Sequence, residues 1–185
     1  MTYKFAVIDL ETLGTKPGAP ILSIGAAAFS LERHEMHIFY KKLHLLGQDM
    51  SKVDPATLLW WMEQSQAARD YAFQETEEAE TIWTAVSQFT IWIERLKREA
   101  GEEPTVWGNS SSFDNELLRA LYEQCGMDAP WSFRADRDFR TVKALYKDKV
   151  PEPEFVGVRH FADDDAAHEA KWLRSILLYI NSTKA

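Results

Sequence analysis

Phe5-Ala6-Val7-Ile8-Asp9-Leu10-Glu11-Thr12-Leu13-Gly14 is an apolar run bounded by turn residues, and it reads as a buried strand. Side chains two apart on a strand leave the same face, with Cα atoms about 7 Å apart. Asp9 and Glu11 therefore stand side by side at the end of a strand that should be core. Ionised and unpaired, they would repel each other while burial penalised both. A divalent cation removes both costs. Taken alone, the pair could equally be one helix cap and one surface acid, so the decision rests on what the rest of the chain supplies.

Outward from this strand, Gly14-Thr15-Lys16-Pro17-Gly18-Ala19-Pro20 is a dense turn signal, Ile21–Phe29 a second apolar run and His37–Leu43 a third short strand. The three make an antiparallel meander. Asp54-Pro55-Ala56 opens a helix carrying Leu58, Leu59, Trp60, Trp61 and Met62. Glu77 to Ala100 has Ile82, Val86, Phe89, Ile93 and Leu96 at helical spacing and stops at Gly101. Thr105–Trp107 reads as a fourth strand, Phe113–Gln124 as a helix, Phe133–Phe139 as a fifth strand and Arg140–Tyr146 as a helix. Lys147–Gly157, with Pro151 and Pro153, is a linker or mobile loop, and about Ala162 to Ile180 forms the last helix. Strands first and helix–strand alternation afterwards predict an α/β layer fold: a mixed sheet, meander followed by parallel strands, flanked by helices.

The 185 residues, 45% hydrophobic, are expected to form one domain spanning 1–185. No signal-like N-terminus and no bilayer-length apolar stretch is present, and the single Cys125 excludes an internal disulfide, which fits a cytoplasmic setting. The formal charge of −8 is unusual for a nucleic-acid reader. Two divalent cations, adding four positive charges, would bring −8 to −4. The remaining acidity argues against salt-driven capture of duplex and favours contact through metals and short single-stranded ends.

Two later segments offer matching ligands. Trp107-Gly108-Asn109-Ser110-Ser111-Ser112-Phe113-Asp114 is a strand end, a small-residue loop and an acid opening a helix. Strand ends of α/β sheets collect ligands, although Asp114 alone could simply favour the helix dipole. In Arg159-His160-Phe161-Ala162-Asp163-Asp164-Asp165, three acids compete. At about 100° per residue, Asp165 falls within roughly 20° of Trp172 and Ile176, the inward or boundary face. Asp164 aligns with Lys171 and Ser175 on a solvent face, and Asp163 sits where a cap belongs. His168 is placed at the surface or boundary. His160, before the helix, can fold over the site from a glycine-preceded loop. Four carboxylates and a mobile histidine suit two-metal phosphodiester hydrolysis: hard oxygen ligands select Mg²⁺ or Mn²⁺, and a histidine titrating near neutrality can take a proton from water.

The order Asp9-x-Glu11, Asp114, His160-x4-Asp165 resembles the DEDDh group of 3′–5′ exonucleases, which implies a ligand set of Asp9, Glu11, Asp114 and Asp165 with His160 as general base on a ribonuclease H-like fold. Asp9–Gly25, Leu59-Trp60-Trp61, Val106-Trp107-Gly108-Asn109, Pro130-Trp131 and Asp136–Thr141 are further similar to a small bacterial and phage subgroup that includes ribonuclease AS. The triple aspartate at 163–165, the triple serine at 110–112 and His44–Met50 depart from that pattern. The resemblance implies two Mg²⁺ with Mn²⁺ substituting, single-stranded RNA or DNA 3′ ends as substrate, RNA favoured, and a homodimer. It also implies substrate contacts at Leu13, Thr12, Asn109, Phe113 and Trp61. Leu13 would lie beneath the terminal nucleotide, and Phe113 and Trp61 would stack on bases. Trp60 and Trp83 are placed in the core or a dimer interface. Seven basic residues against five acids between Arg134 and Arg159 could guide a phosphate backbone or be merely solvated. The alternatives are an exodeoxyribonuclease, a nuclease or phosphohydrolase of very short substrates, and an inactive nucleic-acid-binding module.

Overall fold

A computed structural model of the chain describes residues 2–74, 76 and 78–183. Five strands form one sheet in the order β3-β2-β1-β4-β5. Strands β1 (Phe5–Thr12), β2 (Ile21–Phe29) and β3 (His37–Lys42) make the antiparallel meander, while β4 (Thr105–Gly108) and β5 (Asp136–Asp138) add in parallel to β1. The α/β layer arrangement is the one the hydrophobic pattern predicts.

The two faces of the sheet carry separate cores, and strand alternation sorts β1 between them. Ala6, Ile8 and Leu10 pack with Val86, Phe89, Ile93 and Leu96 of α3 (Ile82–Ala100) and with Leu117, Leu118 and Leu121 of α4 (Glu116–Gln124). Val7 faces the other way, with Ala166, Ala170, Leu173 and Ile176 of α6 (Ala162–Thr183) and Phe139 of α5 (Phe139–Tyr146). The period of two then places Asp9 and Glu11 on the α6 side, at the end where the apolar layer gives out. A smaller cluster of Leu13, Leu22 and Trp61 joins α1 (Pro55–Glu63) to α2 (Gln66–Phe73).

Helix α6 crosses β2 at Gly25, the register partner of Asp9. A Cβ built at Gly25 would stand 2.0 Å from the carbonyl carbon and oxygen of Ala162 and 2.5 Å from the amide nitrogen of Asp163. Only a residue without a side chain lets the first turn of α6 lie directly on the strand. Gly108 does the same service at the end of β4, where a Cβ would meet Asn115 Oδ1 at 2.5 Å and Asp114 Cβ at 2.8 Å.

Several boundaries differ from expectation. Asp54 caps α1 as predicted, its Oδ1 accepting from the Ala56 amide at 3.0 Å. Helix α2 was not anticipated; Ser65 caps it through the Ala68 amide. Glu77, the expected start of α3, lies outside the described residues, and the helix begins at Ile82 with Thr81 as its cap. The expected 113–124 helix opens with a π-type turn over Ser111–Asn115, because Asp114 and Asn115 are drawn inwards to bind backbone of β1 and β4. The fifth strand shrinks to three residues. Ser132 caps a tight turn over Phe133–Ala135, and Asp138 caps α5 by accepting from the Thr141 amide at 2.7 Å. Asp136 anchors what remains, accepting from Asn115, Arg119 and Trp131. Trp83 is 60% exposed on this chain, so it is not part of the core.

Gly25→Ala should therefore lose about 1–3 kcal/mol of stability through overpacking against backbone, and it should weaken Mn²⁺ binding by moving Asp165. Urea unfolding and a calorimetric Mn²⁺ titration check both. A variant as stable as the parent would contradict the close approach.

Candidate active site

A cavity of about 640 Å³ opens where the carboxyl end of β1 meets the start of α6 and the first turns of α1, a size suited to a small ligand or chain end. Asp9, Glu11, Thr12, Asn109, Phe113, His160 and Asp165 all line it. Ligand atoms of Glu11, His160 and Asp165 lie within 4.8 Å of one another, close enough to share one cation. The two carboxylates offer the hard oxygen that fits Mg²⁺ or Mn²⁺, and the imidazole beside them is placed to act as a base.

Asp114 is 2% exposed and does not itself line the cavity. Its Oδ1 accepts from the Leu10 amide and its Oδ2 from the Ser110 amide, each at 3.3 Å. These bonds pin it behind β1, where its charge still reaches Asp9 and Glu11. The π-type turn is what rotates it there.

His160 sits in the left-handed region at φ 67°, the one non-glycine residue there among the described residues. That conformation costs of order 1 kcal/mol and marks a position held by its surroundings. The His160 amide donates to Asp165 Oδ2 at 2.6 Å, and Nδ1 lies 3.9 Å from Glu11 Oε1. The ring meets Trp60 edge-on, centroids 4.9 Å apart. Loop and helix thus hold the histidine against the acids. Burial lowers its pKa from the ordinary value of 6.5, favouring the neutral imidazole that a proton acceptor needs.

Other sequence expectations are corrected. Trp61 is 1% exposed and donates its indole N–H to the Thr12 carbonyl at 2.9 Å, so its ring is core and not a stacking surface. Trp60, expected in the core or a dimer interface, is 41% exposed on this chain and lines the cavity, so it is not core. Leu13 is buried with Leu22 and Trp61, and its amide is engaged by the Pro20 carbonyl, so it does not face the cavity. Asp163 lies within α6 and accepts from the Tyr71 hydroxyl at 3.0 Å; it is not a flanking cap. Asp164 is not a bare surface acid, since Oδ2 accepts from the Val158 amide at 2.8 Å and ties down the preceding loop. His168 is buried, with Nε2 2.9 Å from Glu152 Oε1.

The residues that sequence reasoning missed are Trp60, Lys143 and Glu169. Lys143 lines the cavity over the rings of Phe139 and Trp172 and reaches Asn109 Oδ1 at 3.4 Å. Glu169 was legible by register: Asp165, Glu169, Trp172 and Ile176 step by four, three and four residues along one face.

Crowded and dehydrated, the acids hold their protons more tightly. Burial, then the charges of Asp165 and Asp114, pushes Glu11 up to about 8. Burial raises Asp114 to about 7 despite the amides that oppose it. Asp9 is raised by burial, then by Glu11 and Asp114. Above the ordinary carboxylate range the folded chain therefore binds more protons than the unfolded one, and its stability falls as pH rises towards about 8. Without divalent cation, the thermal midpoint should be several degrees lower at about pH 8 than at about pH 5, since about 1 kcal/mol is worth roughly 2–4 °C at this size. Adding Mn²⁺ should restore more at the higher pH. Differential scanning calorimetry in chelator and in Mn²⁺ checks this, and a midpoint rising through that interval without cation would contradict it.

Comparison with known proteins agrees with this fold. The nuclease domain of 3′hExo, a DEDDh family member solved bound to rAMP, superposes with a TM-score of 0.62 over 95% of this chain and 92% of that one, at 13% identity. The shared architecture is the ribonuclease H-like fold that the motif order implies. No curated protein matches the chain by sequence. Residues 4–177 match the family described as "3′-5′ exoribonuclease Rv2179c-like domain". With that match running almost end to end, the chain belongs to the Rv2179c-like family and is a 3′–5′ exonuclease.

Proposed function

We propose that this exonuclease removes nucleoside 5′-monophosphates from the 3′ ends of single-stranded RNA, using two Mg²⁺ for which Mn²⁺ substitutes. The observation that carries the reading is the meeting of the β1 acids with the His160–Asp165 pair of α6 in one cavity. Asp9, Glu11 and Asp165 would hold the cations, with Asp114 as the fourth carboxylate of the set. Bound there, the cations supply Lewis acidity to the scissile phosphate and lower the pKa of water. His160, neutral through burial, takes the proton of the attacking water at a ring nitrogen. Asp165 fixes the backbone of that histidine, and Glu11 faces its ring.

Substrate contacts follow from the cavity wall. Trp60 and Phe113 present rings to bases, a mode worth about 1–3 kcal/mol per base and independent of net charge. Lys143 and Arg159 face the same space and suit backbone phosphates. RNA is favoured by the family description and by the rAMP held by the solved neighbour. The likeness to ribonuclease AS supports a homodimer, for which exposed Trp83 and Ile91 on α3 offer apolar surface.

The deciding experiment is digestion of matched 5′-labelled RNA and DNA oligomers of several lengths with Mg²⁺ or Mn²⁺. A ladder shortening from the 3′ end, faster on RNA, is expected. Faster loss of DNA would replace the sugar preference, and inertness towards every oligomer would overturn the reading. His160→Asn, which keeps a residue tolerant of the left-handed backbone, should lose about 10²–10⁴-fold in kcat. Its Mn²⁺ affinity should stay within a few-fold of the parent, and single-turnover assay with calorimetry separates the two effects.

A further inference from the structure

Resting on the metal-dependent reading above, we propose that Glu169 is an additional ligand of the divalent-cation site, giving α6 two cation-holding carboxylates one turn apart. Glu169 lines the cavity with Asp9, Glu11 and Asp165. It follows Asp165 by four residues, so both carboxylates leave the same face of α6. The side chain is only 8% exposed, and its Oε2 is buried without a hydrogen-bond partner among the described residues. A carboxylate oxygen in that state is costly unless something positive meets it.

The groups around Glu169 do not supply that partner. Lys143 and Arg140 of α5 face it and favour its charge, but neither forms an ion pair with it among the described residues. Asp114 and Asp165 face it with the same sign. Its charge reaches Asp9, and both residues line the same cavity. There the division of labour with Asp114 becomes clear. Both Asp114 oxygens are occupied by backbone amides, whereas Glu169 keeps one oxygen uncommitted. Glu11 and Asp165, with His160 beside them, bracket one cation position. Glu169 with Asp9 supplies carboxylate oxygen for a second.

Calorimetric titration of Mn²⁺ into the metal-free protein, Glu169→Gln and Glu169→Ala tests the assignment without reference to turnover. The parent should bind two equivalents. Both variants should keep one equivalent at parental affinity and bind the other at least about tenfold more weakly, the loss typical of removing a supporting group at a metal site. Far-ultraviolet circular dichroism and a thermal midpoint no lower than the parent's show that the Gln variant is folded. The Ala variant carries the same test should the amide alone disturb folding. Parental affinity for both equivalents in a folded variant would overturn the assignment and make Glu169 a buried acid that keeps its proton. A parent that binds no Mn²⁺ would overturn the metal-dependent reading of the whole site, and this inference with it.

Discussion

The contact of α6 with the backbone of β2 at Gly25 is the constraint from which the site follows. Asp9 and Glu11 are placed by a strand and Asp165 by a helix, and these belong to different layers. Side chains normally hold a helix well clear of a sheet. By lying on a glycine, the first turn of α6 comes down to the level of the strand, and its acids arrive beside those of β1. Gly108 brings Asp114 in from the other side by the same device. Small residues through β2, including Ala26, Ala27 and Ala28, keep both faces of the sheet open to close packing.

What this packing assembles is electrostatically costly, and the fold offsets part of the cost locally. Four amides favour the charge of Asp114, the His160 amide favours that of Asp165, and the helix N-terminus is a favourable place for acids. Asp9, Glu11 and Glu169 have much less help, and they are the groups that repulsion and burial raise most clearly. Local propensity and packing agree almost everywhere else in the chain. Their conflict here is the pattern expected where binding, not folding, sets the residue type. The left-handed His160 belongs to the same group of compromises.

Much of this was legible in the sequence, for identifiable reasons. The period of two in 5–12 and the seven- and eleven-residue steps from Asp165 are strong signals, because a one-residue slip would move every side chain off its face. Trp60 and Trp61 were exchanged because neighbours on a helix differ by only about 100°, and both flanks of α1 are apolar. His168 was misplaced because its partner Glu152 comes from a segment without periodicity. Glu169 was readable by the same register that selected Asp165. A lone glutamate on a long helix has an ordinary solvent reading, and only burial reveals otherwise. The π-type turn, the three-residue β5 and the short α2 depend on caps and side-chain-to-backbone bonds, which act over distances that propensity does not register.

The two margins of the sheet bear on how copies of this chain can meet. Exposed strand margins invite another chain to continue the ladder, a hazard that folds suppress by shortening or charging them. Here β5 offers three residues, Asp136, Arg137 and Asp138, with the first and last already tied to side chains and caps. At the far margin β3 ends in Lys41 and Lys42, the Lys42 ammonium is bound by the carbonyls of Tyr71 and Gln74, and Leu43 is bridged to Glu80. Neither border is a good template for a foreign strand. Both borders thus disfavour polymerisation by ladder extension.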